Sequence, residues 1–357
     1  MSESKVWTVA IVGCGVGRNH IAQGYQRHPG KFHVQALCDI NEGRLAEVGD
    51  EFAVPLRTRS YDELLRISDI DIVDICTPAA LHYSQILLAL AAGKEVVCEK
   101  PLVGSLAEID RVIAAERQVR GRVMPIFQYR FGDGLQKAKR IIDLGIAGKP
   151  YLGTVETAWR RTAKYYETPW RGRRDSECGG VLLMHAIHSH DLMTSLMGPV
   201  ASVFARAATR VNPIEVEDCA VASLVMQSGA LVSLAATLGS HREISRLRLC
   251  FEHVTFESSS APYSPGDDPW KIVSASQEAE HRIADALSDY HPAPSRYEGQ
   301  FALYHAALTT GGPLPVTLAD ARSSLELVTA LYHSAATGAA VALPIAADHP
   351  GYAGWGR

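Results

Sequence analysis

Through about residue 125 the apolar positions come in short, nearly unbroken runs, separated by stretches with helical period. VWTVAIVG (6–13), HVQALCD (33–39), DIVDICT (71–77), EVVCEK (95–100) and RVMPIFQ (122–128) read as strands, and helices fit at 18–28, 42–53, 61–68, 81–92 and 105–119. Strands alternating with helices predict a parallel, doubly wound sheet of right-handed βαβ units. Strands this poor in polar residues predict helices on both faces. After residue 150 the pattern changes. PYLGTVETAWR (150–160), ASVFARAAT (201–209), EDCAVASLVMQ (217–227) and ALVSLAATLG (230–239) are longer and alternate in part, and QSG at 227–229 joins the last two as a hairpin turn would. An antiparallel sheet with one covered face follows. Residues 258–270 and 291–296 read as Pro/Ser-rich loops, with two late helices at 295–311 and 317–338. The fold class is therefore α/β, with domains at 1–125 and 126–357 and the late helices free to pack back on the first.

The chain's 357 residues agree with two domains. Its 35 Lys and Arg are mixed along the sequence with 39 Asp and Glu, for a net charge of −4. That balance argues against nucleic acid or an anionic membrane as partner, since both require concentrated basic charge. The 7 cysteines form no CxxC pair and several sit in strand-like runs, as buried thiols of a reducing cytoplasm would. MSESKVWTVAIVG lacks the basic and long apolar regions of a secretory leader, and no apolar run approaches a membrane span. A cytoplasmic location is the expectation.

AIVGCGVGRNH directly follows the first strand. Gly13 and Gly15, with Val16 and Gly17 after them, permit a tight turn and close backbone approach to a pyrophosphate, which the next helix meets with its N-terminal amides. Position 18, where a third glycine belongs in GxGxxG, is Arg18, and the loop is one residue short. Asp39 ends the second strand, where a carboxylate accepts hydrogen bonds from a ribose diol and repels a 2′-phosphate; NAD is favoured over NADP, with Arg44 nearby. The bland alternative is a doubly wound fold that binds no nucleotide. Thr77-Pro78 and Glu99-Lys100-Pro101 both end strands at the carboxyl edge of the sheet, where ligands bind. A lysine there can stabilise a developing alkoxide; it can equally be a surface lysine paired with Glu99. His82, after TPAAL, either borders the cofactor or caps a helix.

GGVLLMHAIHSHD (179–191) places His185, His188 and His190 within six residues. Zinc motifs on helices space two histidines four apart, whereas these are three and two apart with no Cys/His pair to complete a set, so no metal is expected. Helix packing and catalysis remain as readings.

GCGVGRNH, Asp39, CTPAALH, AGKEVVCEKPL, YYETPWRG, GGVLLMHAIHSHDL and LADARSSLELVTALYHSAATGAAVALP, in that order, resemble the Gfo/Idh/MocA oxidoreductases. The resemblance spans nearly the whole chain. It implies an N-terminal Rossmann domain, a second α/β domain with a large, mostly antiparallel sheet for substrate and oligomerisation, a nicotinamide cofactor, a polyol or sugar-derivative substrate, and a homodimer or homotetramer. It makes Lys100 the catalytic lysine of EKP, within a cofactor-side set that also includes Thr77, Pro78, His82 and Glu99, and suggests a cis bond before Pro101. It puts the catalytic histidine at His188, the later acid at Asp191, and Met184 where the family carries Asp. On a regular helix Met184, His185 and His188 share a face, leaving His185 auxiliary and His190 structural or exposed. It also places Tyr165, Tyr166, Trp170 and Arg171 beside the substrate cleft. Tyr297, within 291–300, is a further cleft candidate, with helix packing the stronger reading. A dinucleotide- or sugar-responsive regulator and a redox-neutral NAD-assisted lyase or glycosidase are the alternatives on the same scaffold.

Overall fold

The computed structural model describes residues 5–355; the first four residues of the segment read for a leader, and residues 356–357 of the tail, lie outside them. These described residues form two compact units, the first running to Gln128 and adding Tyr297–Ala321, the second made of Tyr129–Arg296 and the described residues from Arg322 on.

The first unit is a six-stranded parallel sheet: β1 (Trp7–Val12), β2 (Phe32–Cys38), β3 (Leu56–Thr58), β4 (Ile72–Ile75), β5 (Glu95–Cys98) and β6 (Val123–Pro125), in the order β3-β2-β1-β4-β5-β6. The strands alternate with α1 (Cys14–Gln23), α2 (Glu42–Glu51), α3 (Tyr61–Leu65), α4 (Ala79–Ala91) and α5 (Leu106–Glu116). The five predicted strands and helices are present. The edge strand β3 is an addition: three residues, two of them exposed, leave no apolar run to read. α1 begins at Cys14 rather than at 18, because Gly13 turns the chain straight from strand into helix with φ 93°. Val9, Ala10 and Ile11 are wholly buried. The helix Arg296–Thr310 supplies Tyr297, Phe301, Tyr304 and Leu308 to that same core. Strand order reverses between β1 and β4, and the crevice at their carboxyl ends is where such sheets take ligands.

The second unit is built on an eight-stranded sheet of β7 (Pro150–Arg160), β8 (Val200–Ala208), β9 (Cys219–Met226), β10 (Leu231–Thr237), β11 (Gly239–Phe251), β12 (Val254–Glu257), β13 (Lys271–Ser274) and β14 (Val341–Ala342). The order is β13-β12-β11-β7-β10-β9-β8-β14, antiparallel except between β10 and β7. The hairpin at 227–229 forms as predicted, closed by the Ala230 carbonyl accepting from Met226 N–H at 2.8 Å, with Gly229 at φ 85°. β11 escaped prediction. Its GSHREISRLRLCF alternates buried Leu247 and Leu249 with exposed Arg246 and Arg248, and the arginines mask the strand. The helix Asp133–Asp143 was also missed, although Leu135, Ala138 and Ile141 form a buried stripe at helical spacing. No helix among the described residues is long and apolar enough to cross a membrane.

Candidate functional site

In the first unit the glycine loop has the shape a dinucleotide needs. A Cβ on Gly13 would lie 2.6 Å from the Cys76 carbonyl oxygen, so the turn admits only glycine. At Gly15 the nearest atom to such a Cβ is the Arg44 guanidinium at 3.9 Å, which leaves open space over the first turn of α1. A Cβ on Gly17 would strike the Ile11 side chain. Gly17 therefore does the helix-to-strand packing expected of a third glycine, one position early, and Val16 is exposed beside it. Asp39 is buried, with Oδ2 accepting from Cys14 N–H (2.8 Å) and Oδ1 from Asn41 N–H (2.8 Å), and Arg44 lies 3.5 Å from Oδ2. Each oxygen retains lone-pair capacity for a ribose hydroxyl. These residues fit a dinucleotide: open glycine backbone at a helix N-terminus, and an acceptor at the end of β2.

The next two loops at this edge are tied together. Thr77 Oγ1 donates to Gln85 (2.6 Å), and Pro78 precedes α4 as its cap. His82 is buried with Nδ1 2.9 Å from the Pro101 carbonyl and Nε2 2.8 Å from that of Thr77. The ring thus lies between the two loops, against a backbone carbonyl of each. The Lys100–Pro101 bond is cis. Glu99 turns inward: Oε2 accepts from Lys100 N–H at 3.0 Å, and Oε1 receives the Tyr297 hydroxyl at 3.1 Å. Tyr297, a cleft candidate from sequence, is a buried member of this unit's core.

In the second unit the histidine segment opens with a π-helical turn, Val181–His185, closed by Ala186 N–H on the Val181 carbonyl at 2.8 Å, before α8 (Ile187–Met197). The extra residue in that turn removes the regular α-helical phase on which the shared face of Met184, His185 and His188 was predicted. Glu217 fixes the start. Its carboxylate accepts from Gly180 N–H and Leu182 N–H (3.0 Å each) and from Tyr332 OH (2.8 Å). Burial holds that carboxyl above its ordinary pKa. A Cβ on Gly180 would collide with the Glu217 carbonyl, which explains the glycine.

His188 is buried against Tyr129, ring centroids 4.2 Å apart and 27° from parallel. His185 is also buried, edge-on to Trp159 at 5.6 Å, with Nε2 3.4 Å from the Tyr165 hydroxyl. Tyr165 collects cations. Arg171 donates to its hydroxyl and lies 4.0 Å from its ring centre and 4.4 Å from that of Trp170, while Arg161 lies 5.1 Å from the Tyr165 ring. Burial raises the Tyr165 pKa, offset only in part by Arg171 and Arg161. Tyr166 packs edge-on against Tyr165 at 5.0 Å. The segment thus brings His185, Tyr165 and Arg171 into one polar chain. His190 faces the core, 1% exposed, so of the two sequence readings only the structural one stands. A cavity of about 490 Å³ in this unit is lined by Gly179, Glu217, Tyr332 and Trp355 among others, and by none of the three histidines.

Glu217, Tyr129 and Arg130 were not found from sequence. Each acts across a gap of more than 30 residues, and no local motif marks them.

Two family models cover most of the chain: an oxidoreductase family with NAD-binding Rossmann fold at 7–127, and the GFO/IDH/MocA C-terminal domain at 135–257. The uncharacterized oxidoreductase YrbE of Bacillus subtilis is 32% identical over 64% of this chain and 66% of its own length. The myo-inositol 2-dehydrogenase of Thermotoga maritima is 31% identical over 55% of this chain and 58% of its own. The alignments thus span about two-thirds or less of these relatives. The WlbA dehydrogenase of Bordetella pertussis, solved with NADH and UDP-GlcNAcA, superposes with a TM-score of 0.85 at 27% identity, covering 97% of this chain and all of that one.

Proposed function

The chain belongs to the Gfo/Idh/MocA oxidoreductases, and from that premise we propose that it is an NAD-dependent dehydrogenase, passing hydride between a secondary alcohol carbon of a polyol or sugar derivative and the nicotinamide. The observation that carries the reading is Lys100, which leaves β5 at the carboxyl edge of the same sheet as the open glycine loop, its amide held by Glu99. The loop over Gly13, Gly15 and Gly17 would hold the pyrophosphate, and Asp39 the adenosine ribose.

In this reading the Lys100 ammonium donates to the substrate oxygen and stabilises its developing negative charge. His188 takes the hydroxyl proton as the carbinol C–H bond breaks, and returns it in the reverse direction. Tyr129, stacked on the imidazole, fixes the ring plane. His185 is auxiliary, acting through Tyr165. Tyr165, Tyr166, Trp170 and Arg171 line the substrate side, where an aromatic face packs on a sugar ring and the guanidinium meets a hydroxyl or carboxylate.

The protein works as a homo-oligomer. Phe204, Val221, Val225, Leu231 and Leu152, on four adjacent strands, share one sheet face and are each at least 39% exposed.

The test is reduced-nicotinamide absorbance on mixing the protein with NAD and a panel of inositols, aldoses and sugar acids. Growth with one substrate class, abolished by Lys100→Met, supports the reading. Full turnover in Lys100→Met overturns the lysine's role.

A further inference from the structure

Asp74 lies in the middle of β4, a central strand of the parallel sheet, with no exposed surface. A carboxylate there is expensive unless paired. Its partner is His20, equally buried, on the helix that begins at the glycine loop. His20 Nδ1 sits 2.8 Å from Asp74 Oδ2, and Nε2 sits 3.0 Å from Glu99 Oε1. Ionised carboxylates only accept, so a ring bonded to both must donate from both nitrogens and is an imidazolium. Tyr25 OH adds a bond to Asp74 (2.9 Å), Tyr297 OH one to Glu99 (3.1 Å), and Gln128 donates to Tyr297 (3.1 Å). Cys76 Sγ lies 3.5 Å from Nδ1. Although burial alone pulls an imidazole down, the neighbouring Asp74 leaves the pKa of His20 well above its ordinary value.

The network has a direction. It starts on α1, whose N-terminus is the cofactor loop, and ends at Glu99 Oε2, which accepts the Lys100 amide at 3.0 Å. We propose that His20 is a positioning residue: a buried imidazolium that clamps Glu99, and through it the Lys100 backbone, to the helix that receives the cofactor. The inference rests on the proposed role of Lys100. Well-packed apolar residues often match a buried charge cluster in stability; in this proposal the charges add a fixed angle for the turn that carries the lysine.

His20, Asp74 and Cys76 also present ligand atoms within 4.8 Å of one another, as a metal site would. Both ring nitrogens already face carboxylates, so the two readings exclude each other.

The experiment uses the full chain with His20→Leu, His20→Gln, and the double variant His20→Leu/Asp74→Leu, which removes the imidazolium with one of its two carboxylates and keeps the core filled. Fold is checked by circular dichroism and NADH binding by fluorescence. Expected are loss of hydrogen-exchange protection at the Lys100 amide by about tenfold or more in the double variant, NADH affinity within a few-fold, and kcat reduced at least about tenfold with little change in the alcohol KM. His20→Gln, which can still reach Glu99, retains part of the protection. Unchanged protection at Lys100 in the double variant overturns the proposal, as does a stoichiometric zinc ion in the purified protein. Full turnover in Lys100→Met overturns the catalytic reading alone, because amide exchange still decides the positioning.

Discussion

Arg130 holds Asp191 through two parallel hydrogen bonds, Nε to Oδ2 at 2.7 Å and Nη2 to Oδ1 at 2.5 Å, with the carboxylate 1% exposed. This fork ties α8, which carries His188, to the segment that carries Tyr129, the ring stacked on that imidazole. Arg130→Met removes a cation and two hydrogen bonds from a buried carboxylate. A loss of about 3 kcal/mol is expected in urea unfolding. Arg130→Met/Asp191→Leu recovers much of it, and a double variant as unstable as the single one contradicts this account.

In the proposed reading Asp39 meets the adenosine ribose, and Arg44 lies 3.5 Å away. Asp39→Ser removes the charge that repels a 2′-phosphate and frees the guanidinium. The ratio of kcat/KM for NAD over NADP is expected to fall at least about tenfold, equivalent to about 1.4 kcal/mol. Steady-state kinetics with both cofactors checks it, and an unmoved ratio sinks it.

His190 is an acid liability. Neither ring nitrogen has a hydrogen-bond partner among the described residues, and burial pushes its pKa down to about 3. Between that value and the ordinary 6.5 the unfolded chain binds a proton that the folded chain refuses. The stability this group supports is complete above pH 6.5 and falls as pH drops toward 3, by up to about 1.4 kcal/mol per unit. His190→Leu is expected to flatten the acid limb of stability against pH and to cost nothing at pH 7, since it removes two unpaired nitrogens. Urea midpoints measured from pH 4 to 7 decide it; equal slopes for both proteins would falsify the assignment.

Val221 is 57% exposed on a face it shares with Leu231 and Phe204. Burying such a face between copies is incompatible with a charge at its middle. Val221→Arg is expected to lower the mass seen by light scattering to that of the monomer while leaving the circular dichroism spectrum unchanged. A wild-type protein already monomeric at working concentration removes the premise.

The first unit was the more legible half because its signals are local. Apolar runs mark β1, β2, β4, β5 and β6, while Gly13, Asp39 and Lys100 each stand at a strand end where position alone suggests a task. The second unit hid its largest strand, β11, behind alternating arginines. The histidine segment misled in phase, since a π turn cannot be read from GGVLLMHAIHSHD. Its supports are nonlocal: Glu217 reaches Gly180 and Leu182 across the fold, and Arg130 reaches Asp191. Asp74 was visible inside an apolar run, yet nothing nearby announced that His20 would neutralise it.

The short glycine loop therefore sets an angular phase as well as a fit to phosphate. Gly17 meets Ile11, and three residues on His20 meets Asp74 and Glu99. One residue inserted after Gly15, restoring the usual spacing, would turn Gly17 and His20 together about 100° around α1, taking the glycine off Ile11 and the imidazole away from both carboxylates. Loop length and imidazole placement can change in this chain only together, so grafting a longer loop from a relative requires a matching deletion before Asn19.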